Sequence, residues 1–311
     1  MGSEKRGLVE RLFGNAYLLL VLTTMAWGGN AVASRFAVGA VSPMALTAMR
    51  WLGVVILLAL FARREIREAW PQLRPRLGTL ALLGACGFTG FNALYYVAAH
   101  STTAINIGIL QGAIPIFVLL GAYLLDRAPV TALQSFGVLL TLIGVAVVTS
   151  GGSLARLATL SLNQGDLIML GACALYAGYT LGLRRRPAVS ALASFSVLAL
   201  SACLAALPLA AIEAAAGSFQ WPSPRGWLVL AYVVLFPSFL SQLSFMQGVK
   251  LIGPARAGVF VNLVPIWAAL FSVLLLGEDF ALYHGAALVL VLGGIWIAEH
   301  AKKRQVDRAV R

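Results

Sequence analysis

The sequence predicts an all-α membrane protein in which ten transmembrane helices form two inverted five-helix repeats around a central cavity. The first observation is composition: of 311 residues, 60% are hydrophobic and 11% are charged, whereas soluble domains carry about 25% charged residues. The second is a succession of apolar runs near the roughly 20 residues that a helix needs to cross the bilayer core. The third is an internal repeat with an offset of 150 residues.

Ten apolar runs, separated by charged or turn-forming residues, are the predicted spans. The link 150–165 between the fifth and sixth runs divides the chain into a first repeat, 1–150, and a second repeat, 151–311. The predicted bounds of the spans are 14–34, 44–62, 77–97, 103–125, 131–149, 166–183, 190–212, 227–248, 254–276 and 281–299.

The internal repeat predicts how the two halves are arranged. Residues 77–125 align with 227–275 without a gap, Pro115 meets Pro265, and the glycine seven residues before each proline also recurs. Because each half contains an odd number of spans, the second half must start on the opposite side of the membrane. The halves are therefore related by a pseudo-two-fold axis in the membrane plane, a plan in which the cargo site lies between the halves near the bilayer midplane.

The net charge of +12 is distributed unevenly between the two predicted sides of the membrane. With the N-terminus in the cytoplasm, 19 Lys and Arg residues fall in cytoplasmic segments, and only Arg35, Arg156 and Arg225 fall outside. An excess of basic residues in cytoplasmic loops is the general rule for multi-pass proteins. The pattern predicts cytoplasmic N- and C-termini and explains the basic composition without a nucleic-acid partner.

No residue pattern predicts a metal, a cofactor or an enzymatic site. Cys86, Cys173 and Cys203 all lie inside predicted spans and lack ligand spacing. The chain contains no H-E-x-x-H, G-x-S-x-G or P-loop pattern, and its three histidines do not cluster with acids. We therefore expect no cofactor and no catalysis, and a channel or receptor is a weaker alternative to a carrier.

Amide and aromatic side chains recur on one face of several predicted spans, since side chains three or four residues apart share a helix face. Facing lipid, an amide would lack partners at a cost of several kcal/mol, whereas facing a wet cavity it can bind cargo. The alternative is that these side chains only join helices to each other. The candidate substrate-binding residues are Trp27, Asn30, Asn92, Tyr95, Tyr96, Gln111, Tyr176, Tyr179, Gln242, Phe245 and Asn262.

Arg50 lies about seven residues inside the second span, roughly 10 Å from its end. A charge within the membrane costs about 2.5–3.5 kcal/mol by insertion scales, so it needs a partner. The structural alternatives are backbone carbonyls at a helix end, Asp166 or Glu278, and the functional alternative is a cargo carboxylate. All eleven acids fall at span ends or in loops, which disfavours a permanent cation as cargo and leaves the coupling mode open.

Several short motifs resemble those of a known family. They are WGGNAVASRF at 27–36, RW at 50–51, IP at 114–115, VP at 264–265 and LLLGED at 274–279. Together they resemble the drug/metabolite transporter superfamily, and within it the ten-helix EamA-type metabolite exporters, over essentially the whole chain. Exporters of aromatic and other amino acids of the YddG type look most similar.

The resemblance implies a carrier of the bacterial inner membrane that exports amino acids from the cytoplasm by alternating access. In its terms Trp27, Gly28 and Asn30 match the first-helix motif, and Glu278 matches the end of the ninth helix. Pro115 and Pro265 match kinked fourth and ninth helices, which we expect to act as gates. Two residues depart from the family pattern: Asp126, out of register with Glu278, and Tyr176, where the family has Trp.

An amino-acid cargo also fits the residues themselves. Aromatic rings suit apolar and aromatic side chains, and amides can meet both the ammonium and the carboxylate of a zwitterion. This permissive lining predicts broad selectivity for neutral amino acids, carried by a monomer in the lipid bilayer. The alternative is export of another small metabolite or drug, such as a purine, a nucleotide sugar or a lipophilic drug, on the same fold.

Overall fold

The computed structural model describes residues 14–127, 130–153, 155, 163–253, 257–258 and 260–309, and these ranges contain helices and turns but no strand. Half of the predicted link 150–165 and the first residues of the ninth predicted span lie outside the described residues. The all-α class is confirmed for the described chain.

Within the described residues, eight α-helices of the first half have defined bounds, and several of them join end to end. They are α1 (Ala16–Ala37), α2 (Pro43–Phe61), α3 (Arg63–Leu73), α4 (Leu77–Gly84), α5 (Phe91–Ala98), α6 (Ala104–Leu110), α7 (Ile114–Asp126) and α8 (Ala132–Thr149). In the described part of the second half, six α-helices have defined bounds: α9 (Gln164–Gly182), α10 (Ala191–Ala215), α11 (Pro224–Val233), α12 (Ser241–Ile252), α13 (Val264–Phe271) and α14 (Leu282–Ala309).

Seven helical stretches of the described chain are long and apolar enough to cross a membrane. They are Ala16–Ala37, Pro43–Phe61, Arg63–Ala98, Ala104–Leu125, Ala132–Thr149, Ala191–Ala215 and Pro224–Ile252. Two further apolar helices, Val261–Leu276 and Leu282–Ala298, are shorter. Helix α9, with 19 residues, covers the sixth predicted span.

The segment between the second and third predicted spans is helical as well. Helix α3 and a 3-10 turn at Arg74–Arg76 lead directly into α4. The reason is amphipathic spacing: Ala69 and Leu73, four residues apart, are buried, while the arginines around them are exposed. This helix was not predicted.

Polar side chains at N-cap positions set where many helices begin. Asn15 accepts from the Leu18 amide, Thr103 from the Asn106 amide and Ser223 from the Gly226 amide. Thr131 forms a complete capping box with Gln134 before α8. Each cap satisfies backbone N–H groups that have no partner inside the helix.

Two kinds of helix irregularity recur in both halves at nearly the same offset. Segments Ala85–Gly90 and Val234–Leu240 are π-helical, and Gln111–Ala113 and Val261–Leu263 are 3-10 turns exactly 150 residues apart. The 3-10 turns have a direct cause: Pro115 and Pro265 have no N–H, so the carbonyls of residues 111 and 261 accept instead from residues 114 and 264.

Helix packing follows the same internal symmetry. Helix α1 packs against α12 and α13, and its repeat counterpart α9 packs against α5 and α7. The counterpart pairs α2 with α10 and α8 with α14 pack directly on each other, and α6 of the fourth predicted span packs on α13 of the ninth. The packing therefore interleaves the two halves, so neither half forms a separate bundle.

The bundle has two chemically different ends. We call one the capped end, where the turns 38–42, 99–103 and 216–223 lie. Backbone hydrogen bonds from Ser42 to Gln220 and from Ser223 to Ala40 join the first of these turns to the third, and the Arg35 side chain bonds to Ala99 of the second. The other is the basic end, with the exposed arginines 63, 64, 67, 74, 76, 184 and 186.

Replacing Gly294 with alanine is expected to destabilise the α8–α14 pair. The added methyl carbon would lie 2.4 Å from the Gly137 carbonyl oxygen and 2.8 Å from the Thr141 amide nitrogen, and overpacking of this kind costs about 1–3 kcal/mol. Gly293→Ala is the matched control, because the adjacent position has open space and alanine favours helix. Thermal unfolding in detergent should show a lower melting temperature for Gly294→Ala only; equal values for the two variants would contradict this contact.

Candidate functional site

A cavity lined by apolar and aromatic side chains and by several amides runs between the helices of the two halves. Its outer chamber has a volume of about 600 Å³ and its inner recess about 180 Å³. Nine residues line both spaces, which therefore form one continuous cavity. These shared residues are Trp27, Phe88, Ile114, Pro115, Tyr176, Gln242, Val261, Asn262 and Ile295.

The outer chamber extends to the basic end of the bundle. Its walls include Val249 and Ala298, near the ends of α12 and of the apolar part of α14, and the exposed side chains of Arg184 and Arg186. The recess lies deeper, between α1, α2 and the π-helical segments, and reaches Arg50. The cavity is thus open towards the basic end.

Carboxylates close the opposite end by binding helix N-termini. Glu278 accepts hydrogen bonds from the amides of Ala104 at 2.9 Å and Ile105 at 3.0 Å, and lies 4.0 Å from Arg35. Arg35 in turn donates to the Ala99 carbonyl. Free N–H groups and the helix dipole both favour a negative charge at that position.

A second carboxylate repeats this arrangement across the two halves. Glu213, at the end of α10, accepts from the amides of Met44 and Ala45, both at 3.2 Å, and from the Ser42 hydroxyl at 2.5 Å. The bonds hold α10 against the start of α2. The capped end is therefore held by contacts between helix ends that are distant in sequence.

Arg50 is buried in the recess wall, with 6% of its surface exposed. Its Nε donates to the Ser238 hydroxyl at 2.7 Å. Its Nη1 donates to the side-chain oxygen Oδ1 of Asn30 at 3.2 Å and to the Tyr96 hydroxyl at 2.5 Å. The guanidinium carbon also lies 5.7 Å from the centre of the Trp51 ring, within cation–π range.

The predicted structural partners of Arg50 are therefore wrong. Glu278 caps α6, and the buried Asp166 accepts from Thr102 and from Asn106 Nδ2 at 3.2 Å. Both acids belong to the capped end, whereas Arg50 lies deeper and finds neutral oxygens on α1, α5 and the second π-helical segment.

Nine of the eleven candidate residues line the cavity, as do Pro115 and Pro265. The walls of the recess or outer chamber include Trp27, Asn30, Asn92, Gln111, Tyr176, Tyr179, Gln242, Phe245 and Asn262. Tyr95 and Tyr96 lie outside it: both are almost fully buried in the hydrophobic core, and Tyr96 contributes only its hydrogen bond to Arg50. The expectation that these two rings line the cavity is wrong.

The amides of the recess differ in what they offer to a ligand. Asn92 donates to the Phe88 carbonyl at 2.6 Å, and Gln111 donates to the Ile107 carbonyl at 3.4 Å, so their own oxygens remain as acceptors. Gln242 and Asn262 make no hydrogen bond to any described residue and line both spaces. They can donate as well as accept.

Aromatic rings form the remaining walls. Trp27 and Phe245 lie 5.4 Å apart, Phe88 and Tyr179 5.1 Å apart, and Phe88 stacks on Trp51 at 4.5 Å. These pairs bring rings from both halves together around the cavity. They offer flat apolar surfaces next to the amides.

Sequence reasoning missed several polar residues of the outer chamber: Thr180, Arg184, Arg186 and Ser194. Thr180 follows Tyr176 by four residues and so shares its helix face, a signal that the sequence already contained. The positions of Arg184 and Arg186 depend on the 3-10 turn that ends α9, which the sequence does not specify.

The helices are long and apolar enough to cross a bilayer, and they enclose a cavity lined by rings and amides. These features define an integral membrane protein built like a transporter. The chain belongs to the EamA-like transporter family, whose sequence profile matches it twice, at residues 14–150 and 163–298. The predicted resemblance to this family is thereby confirmed.

Relatives cover nearly the whole chain. The uncharacterized transporter YyaM of Bacillus subtilis is 28% identical over 91% of this chain and 93% of its own length. The uncharacterized inner membrane transporter YedA of Escherichia coli K12 is 26% identical over 90% and 88%. One crystal structure, 20% identical, superposes with a TM-score of 0.61 over 93% of this chain and 98% of the other, a likeness in fold alone.

A cysteine at position 242 should react with a membrane-impermeant thiol reagent, because Gln242 lines the cavity. The control is Leu240→Cys, two residues away, whose side chain is 44% exposed on the outside of the bundle, where lipid would cover it. Both are made in a background lacking Cys86, Cys173 and Cys203.

In vesicles of known orientation, we expect Gln242→Cys to react at least about tenfold faster than Leu240→Cys, since thiolates form in water and not in hydrocarbon. The reaction should occur only from the side of the basic end. Equal labelling of the two variants would contradict an aqueous cavity, and labelling from the other side would contradict the capped end.

Proposed function

We propose that the protein exports amino acids, aromatic and other neutral ones, from the cytoplasm across the inner membrane by alternating access. The carrying observation is the cavity itself: amides and aromatic rings from both halves and one buried arginine surround a single space. This space reaches the basic end, and its walls include no residue of the turns at the capped end. Its volume lies within the range of small-molecule sites, about 300–1,000 Å³.

The proposal includes ten membrane-crossing helices in two inverted repeats. It is supported by the recurrent π-helical and 3-10 segments and by the interleaved packing. Arg35, near the end of α1, bonds to Ala99, while Asn163, at the start of the counterpart helix α9, bonds to Ser101. The end of α1 and the start of its counterpart α9 thus meet the same turn. This is the arrangement expected when the two helices run in opposite directions.

Alternating access needs one end open and the other closed by bonds that can break. The capped end fits this need, because Glu278 and Glu213 bind helix N-termini through a few hydrogen bonds, each of modest net free energy. We place the basic end, with both termini, in the cytoplasm on the positive-inside rule. The cavity would then receive cargo from the cytoplasm.

A neutral amino acid matches the walls of the cavity. Rings such as Trp27, Phe88 and Phe245 suit apolar side chains, and the oxygens of Asn92 and Gln111 suit an ammonium group. Because every cavity residue comes from one chain, we propose that a monomer is sufficient for transport.

Counterflow in proteoliposomes tests the function. Vesicles preloaded with unlabelled amino acid should accumulate labelled phenylalanine, methionine or threonine saturably, and protein-free liposomes should not. Movement of a purine, a nucleotide sugar or a lipophilic drug with no movement of any amino acid would refute the amino-acid proposal. Non-saturable flux without counterflow would indicate a channel.

Replacing Pro115 or Pro265 with alanine should slow turnover more than it weakens binding. Each proline maintains a 3-10 turn in a helix that lines the cavity, and restoring a regular helix there should hinder the conformational step. We expect a turnover rate about three- to tenfold lower, with Kd for phenylalanine changed less than about twofold.

Pro208→Ala is the matched control for these variants. Pro208 also lies inside an apolar helix long enough to cross the membrane, α10, but it is exposed on the outside of the bundle and lines neither space of the cavity. Its turnover should equal that of the unmodified protein. A parallel loss of binding in Pro115→Ala or Pro265→Ala would assign those residues to the site instead of the gate.

A further inference from the structure

We infer that Arg50 is the receptor for the cargo's carboxylate, and that the carboxylate is the charged group that the site requires, while the ammonium is dispensable. This inference rests on the proposed function and names the substrate class: small organic carboxylates, of which neutral amino acids are one kind. The observation behind it is that one part of the Arg50 guanidinium makes no hydrogen bond within the described chain.

The unused part is the second terminal nitrogen, Nη2. Nε and Nη1 are occupied by Ser238, Asn30 and Tyr96, whereas Nη2 donates to no residue in the described ranges. Nη2 is not one of the buried polar atoms without a partner, so part of its surface is accessible. Nη2 therefore keeps accessible surface and has no partner in the described chain, and the space that Arg50 lines is the recess, where cargo would bind.

The three existing bonds hold the guanidinium in place before cargo arrives. They come from α1, α5 and the π-helical segment Val234–Leu240, so the side chain is fixed from several directions. None of these partners carries a negative charge. Within the described chain, no acidic side chain forms an ion pair with Arg50. A cargo carboxylate would therefore be its anionic partner, through short charge-assisted hydrogen bonds.

The charges along the cavity agree with this inference. The walls of the outer chamber and recess contain no acidic side chain among the residues described, but they contain Arg50, Arg184 and Arg186. Walls of one sign raise the local concentration of ligands of the opposite sign. An amine without a carboxylate meets only positive charge on this route.

The ammonium of an amino acid, by contrast, has only neutral partners. The oxygens of Asn92 and Gln111 are available to it, while Gln242 and Asn262 can donate to the second carboxylate oxygen or accept from the ammonium. Hydrogen bonds between a neutral and a charged group are weaker than those between two charged groups. The ammonium should thus contribute less than the carboxylate.

Competition against labelled phenylalanine, measured by binding to detergent-purified protein, separates the two groups without any need for a variant. The competitors share one ring and differ in charge: phenylalanine, 3-phenylpropionate without the ammonium, and phenylalaninamide and phenethylamine without the carboxylate. We expect 3-phenylpropionate to compete within about tenfold of phenylalanine. The two compounds without a carboxylate should compete at least about 30-fold more weakly, the effect of one lost charge-assisted pair.

Variants locate the effect at Arg50. In Arg50→Gln the preference for phenylalanine over phenylalaninamide should fall to within about threefold, and Arg50→Lys should retain part of it because the positive charge remains. Arg67→Gln, at an exposed arginine of α3, is the matched control and should keep the full preference. Size-exclusion profiles check that each variant remains folded.

Each outcome decides between the two proposals. Phenylalanine binding with equal competition by phenylalaninamide would overturn the carboxylate inference and leave amino-acid export standing. Absence of phenylalanine binding and transport, with direct binding of labelled 3-phenylpropionate to the unmodified protein, would refute amino-acid export and support carboxylate recognition. If Arg50→Gln does not fold, the competition series on the unmodified protein still decides the inference.

Discussion

Hydrocarbon offers no hydrogen bonds, and this constraint organises the whole bundle. A polar group facing lipid without a partner costs several kcal/mol, so each must be satisfied within the protein or face water. Many hydroxyls solve this locally by bonding to a carbonyl four residues earlier on their own helix. Examples are Thr141, Thr149, Ser196, Ser201 and Ser272. Asn30, Gln242 and Asn262 have no such bond within their own helix, and they line the cavity.

The same constraint decides where the backbone can be irregular. A proline or a π-helical segment leaves carbonyls without their usual partners, which is tolerated only beside protein or water. Pro115, Pro265, Phe88 and Ser238 all belong to such segments and line the cavity. These four positions of irregular backbone therefore border the site, where a transporter must change shape.

Tyr95 shows a first limit of reasoning from helix faces. Phe88, Asn92 and Tyr95 have the spacing of one helix face, and the first two do line the recess. Asn92 and Tyr95 belong to the same helix, α5, but three residues turn an α-helix by about 300°, so the two side chains differ in direction by about 60°. Tyr95 lies in the core because neighbouring helices cover its side of α5, and spacing within one helix cannot show which helices pack there.

The partners of Arg50 show a second limit of sequence reasoning. They are 20, 46 and 188 residues away along the chain, on three different elements. The sequence indicated that a buried arginine needs a partner, but nothing local distinguished Asn30, Tyr96 and Ser238 from the carboxylates. Only the packing of distant helices brought the neutral oxygens close and left the acids at the capped end.

The sequence by itself determined the membrane environment, the helical class, the repeat and nine cavity-lining residues out of eleven candidates. These follow from composition and from spacing within single helices, which are local properties. The tertiary structure decided which end of the cavity is open, how Glu213 and Glu278 close the other end, and which nitrogen of Arg50 is left for a ligand. Those features depend on contacts between residues far apart in the chain, whose geometry is set only when all the helices pack together.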